Sequence, residues 1–226
     1  MTERLILEPN TTALIMVDMQ NDFCHPDGFY ARAHDQMLQI GLESNLVGNY
    51  VGKMKELLIS ARSASLFIVH TQIVRESDPF NSVQSLHKIV PTTPRTTQEV
   101  SGLALVPGSW GADTCDELKP SKDEYIVVKR GFSAFYQTDL EMILRRRGIK
   151  ALIIAGTVTY ACVLHTTFDA HARDFDIILP SDAVASWSSD LQEPTLKIVD
   201  LILGTCRPTA ETVDSLDVSV AHSESQ

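Results

Sequence analysis

The sequence predicts a doubly wound α/β domain, a mainly parallel sheet with helices on both faces. Short apolar runs rich in β-branched residues recur along the chain, each followed by a segment of helical periodicity. The runs stay apolar at successive positions, as strands covered on both faces do. The chain's 226 residues suffice for one large α/β domain whose core needs no disulfide staples.

The expected strands are TALIMV at 12–17, LFIVH at 66–70, EYIVVK at 124–129, ALIIA at 151–155 and DIIL at 176–179. Residues 45 to about 62 place Leu46, Tyr50, Met54, Leu57, Leu58 and Ala61 at helical spacing. TDLE at 138–141 has the form of a capping box, with Gly148 as the helix stop. Further helices are expected over 159–173 and 190–203. The second closes at Gly204 and tolerates Pro194 only in its first turn. Residues 75–110, rich in Pro, Ser and Thr, read as a long surface excursion. The polar, acidic stretch 214–226 reads as a flexible tail. No repeat or linker divides the chain, so a single domain is expected over 1–226, with its core at about 10–205.

A formal charge of −10 and an isoelectric point near 5.1 argue against nucleic acid, whose backbone would repel such a surface. The one basic run, Arg145 to Arg147, closes an expected helix, where cations complement the dipole. Cys24, Cys115, Cys162 and Cys206 form no C-x-x-C pair, so no zinc ribbon or thioredoxin-type motif is expected. With no basic, apolar leader and no apolar run of membrane-spanning length, the expectation is a soluble, cytoplasmic protein with reduced thiols and no membrane partner.

Open parallel sheets bind ligands beyond the carboxyl ends of their strands. Asp18 directly follows the first expected strand, Lys129 ends EYIVVK, and Cys162 stands in the first turn of the helix after ALIIAG. Each has an ordinary alternative: a turn-capping Asp, a solvated strand-end Lys, a buried and inert Cys. Their convergence on one rim favours a nucleophilic site. A helix N-terminus and a nearby ammonium favour the thiolate, and an adjacent carboxylate can take or return its proton. The loop at 156–161 supplies backbone N–H groups where an oxyanion would form.

The blocks ALIMVDMQNDF (13–23), PGSWGAD (107–113), VVKRGFSAF (127–135), GTVTYACV with TTFDA (156–170) and IILPSDAVAS (177–186) carry a resemblance. Together they resemble the isochorismatase-like cysteine hydrolases, the family of nicotinamidases, N-carbamoylsarcosine amidohydrolases and ureidoacrylate amidohydrolases. The resemblance covers about residues 10–205 and implies a Rossmann-like three-layer fold. It implies an Asp/Lys/Cys triad, which falls on Asp18, Lys129 and Cys162. It also implies a cis peptide between Thr157 and Val158, an oxyanion hole built from the N–H groups of Val158 and Cys162, and a homodimer or homotetramer.

The chain departs from these relatives in two places. Nicotinamidases hold a divalent metal with an Asp and two His in a D-x-H-x-x-x-H type arrangement after the second strand. Here HTQIVRESD (70–78) has His70 before the turn and none in the nine residues after it, and His87 is the nearest later candidate. No metal or other cofactor is therefore expected, and nicotinamide is disfavoured as substrate. Several carboxylate-binding relatives place Arg directly after the Cys-Val pair, where this chain has Leu164. Arg75 or Arg32 could substitute, but both read as solvated surface residues. Phe23, Trp110, Phe135 and Tyr160 flank the motif residues and are candidate pocket walls, with plain core packing the alternative for each.

Retention of the cysteine favours cleavage of a C–N bond in a small amide or ureide through a thioester, with release of ammonia. A vinyl-ether hydrolase of the isochorismatase kind and a non-catalytic binding member of the fold are the alternatives.

Overall fold

A computed structural model describes residues 7–39, 41–75 and 104–223. Its centre is a seven-stranded sheet: β1 (Thr12–Val17), β2 (Phe67–Ile73), β3 (Tyr125–Lys129), β4 (Ala151–Thr157), β5 (Asp176–Pro180), β6 (Val184–Ala185) and β7 (Thr205–Arg207). The spatial order is β3-β2-β1-β4-β5-β7, with β6 paired to the end of β4, and every ladder is parallel. All six residues of β1 are buried, since this central strand is covered on both faces. On β3, at the sheet edge, only Val127 and Lys129 are buried, so a lysine closes an inward-facing row.

The expected strands all form. Short β6 and β7, too brief to leave a periodic signal, were legible in no run of sequence. The strand order locates the ligand crevice. From β1 the chain steps through β2 to β3 on one flank, then returns to lay β4 along the other flank of β1. The topological switch point therefore lies between the carboxyl ends of β1 and β4.

Three short helices follow β1: α1 (Asn21–Cys24), α2 (Phe29–Arg32) and α3 (His34–Gln39). The helix expected from residue 45 opens as a 3-10 segment, Ser44–Tyr50, and becomes α-helical as α4 (Val51–Ser63). α4 buries Met54, Leu57, Leu58 and Ala61 along one stripe. At about 1.5–3 kcal/mol for each large apolar side chain, this burial far outweighs any difference in helix propensity.

α5 (Leu140–Arg146) starts at Asp139, with no side-chain cap hydrogen bond from that residue. The Thr138 hydroxyl accepts only weakly from the Leu140 N–H, at 3.4 Å, and donates to the Ala134 carbonyl at 2.5 Å. The capping box is thus replaced by a tie to the preceding loop. Gly148 does end the segment, at φ +69°.

Beyond β4 come a π-helical turn, Thr159–Val163, and α6 (Leu164–His171). α7 (Ser189–Ile198) is followed by a second π-helical stretch, Val199–Leu203. Pro194 lies inside α7, past its first turn, which corrects the expected placement. The carbonyl of Asp190, whose helical donor Pro194 removes, belongs to an exposed residue that water can reach.

The expected tail is also corrected. α8 (Thr209–Ser223) continues through residue 214 and packs against α4 and β5. Thr212, Ser215 and Leu216 are buried at helical spacing, and the Thr209 N–H and hydroxyl both donate to Asp182 Oδ1, at 2.6 and 2.7 Å. Most of the excursion expected at 75–110 lies outside the described residues. Its two roots are joined by a hydrogen bond from the Arg75 N–H to the Leu105 carbonyl, 2.9 Å. No helix among the described residues is long and apolar enough to cross a membrane.

Candidate active site

Asp18 leaves β1 in the left-handed region, at φ +51°, a conformation that Asp tolerates better than most residues. Its N–H donates to the carbonyl and the hydroxyl oxygen of Thr71 on the neighbouring strand, at 3.2 and 3.1 Å. The Thr71 hydroxyl donates in turn to Asp18 Oδ1 at 2.6 Å. Gln20 fixes the same turn from below. It donates to the carbonyls of Ile73 and Ala112, at 2.9 and 2.7 Å, and accepts from the Ile73 N–H at 3.0 Å.

Lys129 stands opposite Ile73 in the ladder, two strand spacings from β1, roughly 10 Å. Its long side chain crosses that gap and brings Nζ to 2.7 Å from Asp18 Oδ2, with both side chains fully buried. Nζ also donates to the carbonyls of Gly131 and Phe132, at 3.0 and 2.9 Å. These two bonds aim its N–H groups, so Oδ2 is in ion-pair contact yet lacks a well-aligned hydrogen bond. That oxygen is free to accept a proton from elsewhere.

Cys162 supplies the candidate donor. Its thiol is buried close enough to Asp18 and Lys129 to feel the charge of both. It sits in the π-helical turn after β4, across the switch point from Asp18. Gly156 lets this happen, because a Cβ there would come within 2.1 Å of the Val17 carbonyl oxygen, and its φ is +121°. The close approach of β4's end to β1 therefore requires glycine. The peptide between Thr157 and Val158 is cis.

The protonation state differs from the expected thiolate. Burial pushes the Cys162 thiol up to about 12; Lys129 opposes this and Asp18 reinforces it. The resting form is a neutral thiol beside an ion pair. For Lys129, burial alone would push its pKa down, but the charge of Asp18 outweighs it and raises the pKa instead.

The thiol opens into a narrow pocket walled by Phe23, Phe132, Val158, Tyr160, Leu105 and Trp187, with Tyr30, Ile73 and Arg75 completing it. Of the four aromatic residues expected there, Phe23 and Tyr160 line it. Trp110 does not: it is half exposed and meets His25 edge-on. Phe135 is buried against Phe175, with the Arg173 guanidinium over its ring, as a packing residue. Arg32 is exposed, as expected, but Arg75 is buried. Tyr30, Trp187 and Thr71 were missed. For Thr71, the position near the carboxyl end of β2 could have flagged it; Tyr30 and Trp187 carried no signal.

His70 on β2 is buried away from this site. Its Nε2 lies 2.8 Å from Glu124 Oε2, and Arg62 binds the same carboxylate through Nε and Nη2, at 2.7 and 3.0 Å. Glu124 precedes β3, at the opposite end of that strand from Lys129. Among the described residues no cluster of three His, Cys, Asp or Glu is arranged to hold a metal ion. His87 and residues 76–85 of the expected metal loop lie outside them.

This cluster gives acid sensitivity a clear sign. For Glu124, burial pushes upward, but Arg62, the Ser121 N–H and His70 prevail and hold the carboxyl at about 2, down from 4.5. Its stabilisation is present above pH 4.5 and is lost as pH falls towards 2. Burial also lowers His70 from 6.5, despite Glu124, so falling pH through that region destabilises in the same direction. The midpoint of thermal unfolding is expected to fall between pH 7 and pH 3, and Glu124→Gln should flatten the slope below pH 4.5. An unchanged slope would remove Glu124 from the account.

A model of the isochorismatase domain matches residues 12–211. The chain belongs to the isochorismatase family. A ureidoacrylate amidohydrolase of Agrobacterium fabrum is 27% identical over 208 residues, covering 89% of this chain and 88% of that protein. A cysteine hydrolase structure from Pseudomonas syringae pv. phaseolicola superposes with a TM-score of 0.77 at 25% identity, covering 97% of this chain and 100% of that one. An N-carbamoylsarcosine amidase structure from Thermoplasma acidophilum gives 0.65 at 25% identity, over 88% and 96%. The fold shared with these structures frames, in this chain, the crevice at which Asp18, Lys129 and Cys162 stand.

Proposed function

We propose that this isochorismatase-family protein is a cysteine amidohydrolase that cleaves a C–N bond of a small amide or ureide. One observation carries the reading: a buried thiol stands against a buried Asp–Lys ion pair at the mouth of an apolar pocket. The names of the amidohydrolase and amidase relatives support it.

Asp18 Oδ2 takes the Cys162 proton as the sulfur attacks the carbonyl carbon, so thiolate forms only when substrate is in place. The C–O bond pair moves onto oxygen, and the N–H groups of Val158 and Cys162 receive the oxyanion. Collapse breaks the C–N bond, and Asp18 returns the proton to the departing nitrogen, which leaves as ammonia. Water, deprotonated by Asp18, then attacks the thioester and frees the acid and the thiol. Lys129 holds the carboxylate in place through the buried ion pair. Phe23, Phe132 and Trp187 exclude bulk water from the thioester.

Ammonia release from a panel of short primary amides and ureides tests the reading. Turnover is expected with at least one of them. It should survive dialysis against a strong chelator, because carbonyl polarisation rests on N–H donors and His70 is engaged by Glu124. Loss of activity restored only by zinc, iron or manganese would overturn the metal-free mechanism. Hydrolysis of a vinyl ether with no ammonia from any amide would overturn the amidohydrolase.

A further inference from the structure

Cys24 and Cys115 take no part in the proposed reaction, yet both border one cavity of about 350 Å³. They are far apart in the chain and are brought together by the turn that follows β1. An isolated antiparallel bridge joins Gln20 to Thr114. Next to it, the Cys115 N–H donates to the Met19 carbonyl at 2.9 Å. The Cys24 N–H and thiol both donate to the following carbonyl, that of Gln20, at 3.1 and 2.9 Å. The two cysteines therefore grip the carbonyls of adjacent residues, and both are free thiols. Cys115 is buried, whereas Cys24 is partly open to solvent. Cys162 and Cys206 do not border this cavity.

Cys115, burial and the charge of Glu117 together hold the Cys24 thiol well above its ordinary range. No stabilised thiolate at Cys24 therefore keeps the pair in its reduced form. We propose that Cys24 and Cys115 close into a reversible disulfide by exchange with a small-molecule disulfide. Cys24, the accessible thiol, loses its proton to water, and its sulfur attacks one sulfur of the oxidant. One thiolate of the oxidant leaves and takes up a proton. Cys115, losing its own proton, then attacks Cys24 Sγ and expels the second thiolate. Two protein thiols are oxidised to one disulfide, and the small disulfide is reduced to two thiols. The second step is intramolecular, so the mixed disulfide does not accumulate. The bond ties the end of α1 to the segment after Ala112 and braces the turn that carries Asp18. Phe23, next to Cys24 in α1, walls both this cavity and the pocket at Cys162. The inference does not rest on the amidohydrolase reading.

The test incubates the native protein with glutathione disulfide, quenches with acid, alkylates the remaining thiols with N-ethylmaleimide and digests without reductant. A cross-linked peptide pair carrying Cys24 and Cys115 is expected as the main product, reversed by dithiothreitol. The intact mass should fall by two hydrogens. The same digest of Cys162→Ala should give the same cross-link with no active-site thiol to compete. Cys115→Ser should stop at a glutathione adduct on Cys24. Cys24→Ser should leave Cys115 reduced, because the buried thiol is out of the oxidant's reach. Thermal melting checks that each serine variant is folded, and the digest of the native protein decides the matter without them. The cross-linked native protein should melt about 5–10 °C above its reduced form, and an unchanged midpoint would remove the brace. A cross-link between any other pair, a lasting glutathione adduct on Cys24 of the native protein, or four alkylated cysteines after prolonged oxidation would overturn the inference. None of these readouts measures ammonia, so failure of the amidohydrolase reading leaves the thiol pair standing.

Discussion

Cys162→Ala is expected to abolish ammonia release, with a loss on the order of 10⁴-fold or more, because among the described residues no other thiol lines the crevice. The substitution removes one buried sulfur and leaves the Asp18–Lys129 pair and its carbonyl contacts in place. The fold should therefore persist, with a melting temperature within about 5 °C of the native protein. Cys162→Ser should be nearly as inactive, since a serine hydroxyl is a harder proton to remove in the same dry environment. Ammonia assays alongside melting curves decide the matter. A folded Cys162→Ala protein with substantial activity would end the covalent mechanism.

Lys129→Met should be the most damaging replacement for stability. It leaves Asp18 buried without its countercharge and deprives the Gly131 and Phe132 carbonyls of their donor. Breaking a buried ion pair from one side typically costs about 3–5 kcal/mol. Adding Asp18→Asn should recover part of that loss, so the two substitutions are expected to be strongly non-additive in urea unfolding. Each alone should lower the rate by at least about a hundredfold, Asp18→Asn through proton transfer and Lys129→Met through misplacement of the carboxylate. In Asp18→Asn an acyl adduct on Cys162 should be visible by intact-mass spectrometry if water activation suffers more than acylation. Additive unfolding energies would mean the pair is not energetically coupled. Near-native rates in both variants would mean the triad is misassigned.

The resting state of the thiol bears on both results. Burial keeps Cys162 protonated, so its reactivity depends on Asp18 Oδ2 being an open acceptor at the moment of attack. The sequence pointed to a standing thiolate because helix terminus and ammonium are local cues, whereas desolvation depends on every residue packed over the sulfur.

Much of the architecture was legible because it rests on local periodicity. Continuous apolar runs named five strands, and the stripe Met54, Leu57, Leu58 and Ala61 named α4. Elements whose stability comes from contacts distant in sequence were not legible. β6 and β7 exist by pairing to β4 and β5. α8 carries a polar, acidic sequence, and its order comes from docking on α4 and from the Thr209–Asp182 tie. Trp110 and Phe135 flank motif residues in the chain, but adjacency in sequence did not bring either ring to the pocket.

The sequence alone determined which groups could do chemistry and on which rim they stand. A residue placed directly after a parallel strand must emerge at its carboxyl end, and this selected Asp18, Lys129 and Cys162. Only the tertiary structure decided how they meet. Lateral strand order is not encoded in any one segment, and it is this order that sets β4 beside β1 and stretches Lys129 past β2 to Asp18. The same holds for Arg75, which reads as a surface charge until Tyr30, Phe23 and Trp187, far from it in the chain, close around it. Burial is a property of the whole packed molecule, and at this site it governs the charge on the thiol and the pairing of the arginine.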